Sequence, residues 1–245
     1  MMHTRWSARA FFRIANLLTL LFVAWNSSSL LWGQTADIPA NYQLIYQQTF
    51  DDAKSLEDYQ FSDGKAWRWS SEGKSTGAIE LFQQSQYKTE HRSPFNLAIL
   101  SKHQVSDFIL ELDMRQTGKE YGHRDMCLYF AFQGRSQFYY THLATTPDPN
   151  AHNVFIVDNA PRKSFLEVPK KGVNWGEDWK HIRLERQGDR IRVYFEDMKQ
   201  PVLEGRHSAL ASGAIGFGSF DDVGKMDNLK LWAPKEETQS ITYFP

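Results

Sequence analysis

Asp107-Phe108-Ile109-Leu110-Glu111-Leu112-Asp113-Met114-Arg115 and His123-Arg124-Asp125-Met126-Cys127-Leu128-Tyr129-Phe130-Ala131-Phe132 are the two runs whose reading decides the fold. In the first, Leu110, Leu112 and Met114 alternate with Glu111, Asp113 and Arg115. In the second, Met126, Leu128, Phe130 and Phe132 alternate with Asp125, Cys127 and Tyr129. Period-two alternation is that of a strand, and residues two apart share a face. The segment Thr117–Gly122 between them reads as a turn, so the two runs are expected to form a hairpin. Their apolar sets belong to a core between two sheets. The other face then gathers Glu111, Asp113, Arg115, His123, Asp125 and Tyr129. A strand over 137–143, pairing next, adds Tyr140 and His142.

Outward from these runs the pattern repeats. Further strands are expected near 43–50, 66–71, 77–83, 96–102, 153–158, 162–166, 179–186, 190–196, 213–219 and 226–232, punctuated by Gly, Asp, Asn and Pro. No segment holds a 3.6-residue period over three turns. Residues 179–186 and 190–196 flank Gln187-Gly188-Asp189, a second hairpin whose Gly is free to take positive φ. Strands about ten residues apart predict an all-β, two-sheet antiparallel sandwich rather than βαβ units.

The N-terminus carries Arg5, Arg9 and Arg13 ahead of an apolar run from Ile14 to Trp25, then small and polar residues. That is the layout of a secretory signal over residues 1–33, with cleavage at Gly33-Gln34 or Ala36-Asp37. The run is shorter than the ~20 apolar residues of a membrane span, and an uncleaved anchor is the other reading. The expectation is a secreted or periplasmic protein with one domain over 34–235 and a loosely held tail over 236–245.

Of 28 Lys and Arg in the chain, the signal takes three, leaving 25 against 29 Asp and Glu. The mild acidity and scattered basic residues argue against nucleic acid and against an anionic membrane surface as partners. Cys127, the single cysteine, has no internal partner and reads as a buried small hydrophobe. The chain has no Ser/His/Asp elbow, Gly-rich phosphate loop or CxxC pair, which removes the corresponding hydrolase, nucleotide and redox readings, and no organic cofactor is expected.

The polar face has two readings, a functional cleft or a solvated surface with ion pairs. Carboxylates, imidazoles, a guanidinium and phenols serve proton transfer and sugar hydrogen bonding. His142 or His123 is the candidate proton shuttle, Asp125 or Glu111 its orienting partner, and Arg115, Tyr129 and Arg162 bind substrate. Asp158 and Arg162 suit an anionic sugar, or merely close a turn with Pro161. His142, His152, His123 and Asp125 also have the chemistry of a transition-metal set, although their spacing is unspecific.

Asp107–Arg115, Trp179-Lys180-His181-Ile182-Arg183-Leu184, Gly188-Asp189-Arg190-Ile191-Arg192-Val193, Gly213-Ala214-Ile215-Gly216-Phe217-Gly218 and Asp227-Asn228-Leu229-Lys230-Leu231 together resemble the concanavalin A-like lectin/glucanase jelly roll. The closer likeness, over roughly 43–232, is to the exported 3-keto-disaccharide hydrolase (DUF1080-like) family. The middle, from Phe138 to Arg162, departs from it and looks like a separate subgroup. Glu111-Leu112-Asp113 begins the Glu-x-Asp pattern of glycoside hydrolases of this fold, but Arg115 stands near where their second Glu belongs. The resemblance implies a carbohydrate partner and an exported glycan hydrolase or lyase. The alternative is a non-catalytic glycan-binding or adhesion protein using Tyr139, Tyr140 and a Trp as stacking platforms; Tyr139, Tyr140, His152 and Asp158 are also candidate substrate-binding residues. It also implies a structural Ca²⁺ held by Asp227, beside the acidic Asp221 and Asp222.

Overall fold

The computed structural model describes residues 38–168 and 171–244, so the expected signal and its cleavage point lie outside the described residues. Among the described residues no helix is long and apolar enough to cross a membrane.

The strands are, in chain order, β1 (Gln43–Gln48), β2 (Tyr59–Phe61), β3 (Trp67–Ser70), β4 (Ala78–Leu81), β5 (Asn96–Val105), β6 (Phe108–Gln116), β7 (Asp125–Gly134) and β8 (Gln137–Ala144). There follow β9 (Asn153–Asp158), β10 (Lys163–Ser164), β11 (Lys180–Gln187), β12 (Arg190–Phe195), β13 (Leu203–Arg206), β14 (Gly213–Ser219), β15 (Gly224–Ala233) and β16 (Glu237–Thr238). Two short 3₁₀ turns, Ala53–Asp58 and Gly64–Ala66, are capped by Asp52 and Asp63, whose carboxylates accept backbone N–H groups two residues on.

Two antiparallel sheets result. The first runs β13-β12-β11-β6-β15-β4-β3, with β1 also on β15; the second runs β10-β9-β8-β7-β14-β5-β16, with β2 also on β5. They face each other across a core containing Phe108, Leu110, Leu112 and Met114 from β6 and Met126, Leu128 and Phe130 from β7. The expected two-sheet jelly-roll sandwich is what the chain forms.

The expected hairpin of the two opening runs is not. β6 lies between β11 and β15, whereas β7 lies between β8 and β14 in the opposite sheet. Alternation fixes which side of a strand is apolar. It does not say whether two apolar sides share one sheet or face each other across a core, and the connection over 117–124 is long enough to cross. The single polar face is therefore two faces, on opposite outsides of the sandwich. Glu111, Asp113 and Arg115 are on one, and Asp125, Tyr129, Tyr140 and His142 on the other.

A bulge makes a second correction. Ala131 has φ 46° and joins the inter-sheet core, so Phe132 turns outward instead. There it meets a second apolar cluster with Leu97, Ile99, Tyr129, Phe138 and Tyr140. The C-terminal tail covers that cluster and is anchored rather than loose. β16 pairs with β5, and the Tyr243 hydroxyl donates to the Phe132 carbonyl at 3.1 Å while its N–H donates to Gln60 Oε1 at 2.8 Å. Its apolar residues Ile241, Tyr243 and Phe244 find their partners on a sheet face that alternation alone assigned to solvent.

Candidate functional site

On the outside of the first sheet, register builds the site. Asp113 pairs across β6 and β11 with His181, and Glu111 with Arg183; on the other side, Asp113 pairs with Asp227 and Glu111 with Lys230. Because Ile182 and Leu184 point into the core, His181, Arg183 and Glu185 point out beside the two carboxylates. A bulge in β15 between Asp227 and Lys230, with Asn228 at φ 51°, aims the Asn228 amide at Asp113 Oδ2, 2.8 Å away.

Around Asp113 the donors converge. His181 Nδ1 lies 3.0 Å and Lys74 Nζ 3.1 Å from its Oδ1. Burial pushes this carboxyl up, but hydrogen bonds from His181, Asn228 and Lys74 outweigh that and hold it below the usual carboxylate range. With Nδ1–H donated to Asp113, the other ring nitrogen of His181 faces outward, 3.9 Å from Glu111 Oε2. That is beyond hydrogen-bond range and leaves room for a bridging water or hydroxyl. Glu111 is held by Arg183, 3.0 Å away, which also grips Glu185 at 2.6 Å. Glu111, Asp113, His181, Lys74 and Asn228 line a depression of about 360 Å³ that also takes in Gln47, Thr49 and Lys230. A depression of about 390 Å³ around Lys88, Glu90, Arg135 and Asn159 assembles no such set of proton-transfer groups.

On the second sheet, Asp125 and His142 are brought together: His142 Nε2 is 3.2 Å from Asp125 Oδ2, and both side chains are buried. Cys127 Sγ is 3.2 Å from the same oxygen. Burial, reinforced by the Asp125 charge, raises Asp222 to about 7 and lifts Asp221 as well.

The remaining expected residues are dispersed. His123 is exposed and its Nε2 lies 2.7 Å from Asp148. Arg115 donates to the Glu177 carbonyl at 2.7 Å, and Asp158 accepts from Gln137 at 3.0 Å. Tyr129 and Tyr140 are fully buried in the second apolar cluster, and Tyr139 is in the inter-sheet core with its hydroxyl 2.9 Å from His207 Nδ1. None of the three offers an open ring to a sugar. Arg162 lies against Phe155 and Phe220 and donates to the Tyr140 hydroxyl at 2.7 Å. His152 is buried, and burial lowers it to about 4. Asp227 Oδ2 accepts the N–H of Lys74 at 2.8 Å and Oδ1 that of Asn228 at 2.6 Å.

His181, Lys74 and Asn228 are the site residues that sequence reasoning missed. The signal for His181 was present, since Ile182 and Leu184 as inward residues make His181 outward. Its neighbour was not, because that needed the pairing of β11 with β6.

A scan against protein-family models gives no match, and neither does a search of curated proteins. Solved structures do match. The carbohydrate-binding module CBM66 from Bacillus subtilis is 17% identical with a TM-score of 0.50, over 70% of this chain and 93% of that one. A Bacillus subtilis protein of unknown function with a galectin-like fold is 12% identical with a TM-score of 0.51, over 78% and 97%. The likeness is one of fold. The GH43 protein BlXynB from Bacillus licheniformis is 11% identical with a TM-score of 0.50, over 80% of this chain but 39% of its own length.

Proposed function

We propose that the protein is a carbohydrate-processing hydrolase whose saccharide lies across the outside of the first sheet, with His181 as the proton-transfer group. The observation that carries this is the Asp113–His181–Glu111 arrangement. A half-exposed imidazole, 38% accessible, is oriented by a buried carboxylate and faces a second carboxylate across a gap of 3.9 Å. Asp113 is the positioning residue, since it fixes the ring and its tautomer. Glu111 and His181 then supply an acid and a base on either side of a water or a glycosidic oxygen. Lys74, Lys230 and Asn228 are donors for sugar hydroxyls or a carboxylate.

The resemblance to exported 3-keto-disaccharide hydrolases supports a saccharide substrate, as do the names of the similar folds. The shuttle proposed is His181, in place of His142 and His123, because those two lie on or near the other sheet.

The test is a panel of disaccharides and polysaccharides incubated with the purified protein and with Glu111→Gln, scoring new reducing ends and absorbance from unsaturated products. New reducing ends with the native protein, reduced by ~10²-fold or more in Glu111→Gln, are expected. Unsaturated products would make it a lyase. Saccharide binding without turnover would make it a binding protein, and neither binding nor turnover would remove the carbohydrate reading.

A further inference from the structure

We propose that Asp125, Cys127 and His142, on the second sheet and apart from the depression above, form a binding site for a divalent transition-metal ion of the zinc and cobalt type. β7 presents Asp125 and Cys127 two residues apart on its outer side, and His142 is the cross-strand partner of Cys127 on β8. One ligand atom from each lies within 4.8 Å of the other two. All three residues are buried, Asp125 and Cys127 completely.

The hydrogen bonding of His142 points to an ion. Its Nδ1 lies 3.0 Å from the Asn150 carbonyl, an acceptor, so Nδ1 carries the proton. In the neutral ring Nε2 then holds a lone pair, and it faces Asp125 Oδ2, another acceptor, at 3.2 Å. Despite that distance Nε2 makes no hydrogen bond, and Asp125 Oδ1, fully buried, has none either. Asp125 Oδ2 itself accepts the Phe220 N–H at 2.9 Å, so the atoms left bare are His142 Nε2 and Asp125 Oδ1. Buried acceptors left unsatisfied are costly unless something positive sits beside them.

The spacing and charge fit an ion. Metal bonds of about 2.0–2.3 Å at tetrahedral angles set neighbouring ligand atoms roughly 3.3–3.8 Å apart. The contacts from Asp125 Oδ2 to His142 Nε2 and to Cys127 Sγ are both 3.2 Å. A thiolate, a carboxylate and a neutral imidazole carry two negative charges, which a divalent ion cancels, as a buried site requires. Thiolate with imidazole favours zinc, cobalt or copper over calcium. Three protein ligands leave a fourth position for water or another small ligand. Asp221 and Asp222 have carboxylate oxygens within 4.8 Å of Asp125, and both line a depression of about 460 Å³.

Cobalt is the probe. The purified protein, stripped with a chelator and titrated with Co²⁺, should bind one equivalent and show the intense visible bands of a tetrahedral ion with a thiolate-to-cobalt charge-transfer band. Zn²⁺ should displace the cobalt and raise the melting temperature. Cys127→Ser should lose the charge-transfer band, and Asp125→Asn should weaken binding by more than the roughly 10- to 100-fold that loss of an outer partner costs. Should either variant fail to fold, the cobalt spectrum of the native protein decides alone. Absence of the charge-transfer band from the native protein, or its persistence in folded Cys127→Ser, would overturn the proposal.

Discussion

Asp113 gathers three donors on the outside of the first sheet. Its carboxylate takes hydrogen bonds from His181 and Asn228 and the charge of Lys74. Its folded pKa lies below the usual value of 3.8. Between the two values the unfolded chain binds more protons than the folded one, so stability rises with pH. The contribution is present above the unfolded pKa and is lost as pH falls through the folded one. Asp113→Asn should therefore destabilise by roughly 1.5–3 kcal/mol at neutral pH, the range for hydrogen bonds to a charged group. Its melting curve should converge on that of the native protein in acid. A deficit that is the same at every pH would contradict this assignment. At this scale the sequence showed that Glu111 and Asp113 share a face, because two residues of one strand decide that. It did not show His181 beside them, because 68 residues separate it from Asp113.

At the scale of elements, what was legible depended on the connection. β11 and β12 are joined through Gly188 and Asp189 and pair in the expected hairpin. Gly188 has φ 60°, and an added Cβ would meet nothing within 4 Å, so the cost of a side chain there is backbone strain alone. Gly188→Ala should lower stability by about 1–2 kcal/mol, measured by urea unfolding. An unchanged midpoint would mean that the turn relaxes to another conformation. β6 and β7, with eight residues between them, show the opposite case. The inward side of each strand was read correctly as far as Phe130, and the pairing was still wrong. β2, β13 and β16, of two to four residues, are too short to carry a pattern and form where longer neighbours offer a free edge.

For the whole molecule, the consequence is two cores and one open polar face. The space between the sheets is filled as alternation requires, and the outside of the second sheet is covered by the C-terminal segment through Tyr243 and its neighbours. Tyr243→Ala should cost about 2–5 kcal/mol, as loss of a buried large side chain does, whereas a loose tail would tolerate it. Thermal melting of the variant distinguishes the two. The polar outside of the first sheet keeps the depression of about 360 Å³ with Glu111, Asp113 and His181 in its wall. That this face, and not the buried histidine of the other sheet, transfers protons to a saccharide is the central claim. Its most direct test is kcat/KM of His181→Asn on whichever saccharide the native protein turns over. A loss of ~10²-fold or more with melting unchanged is expected. Native turnover in folded His181→Asn would contradict it.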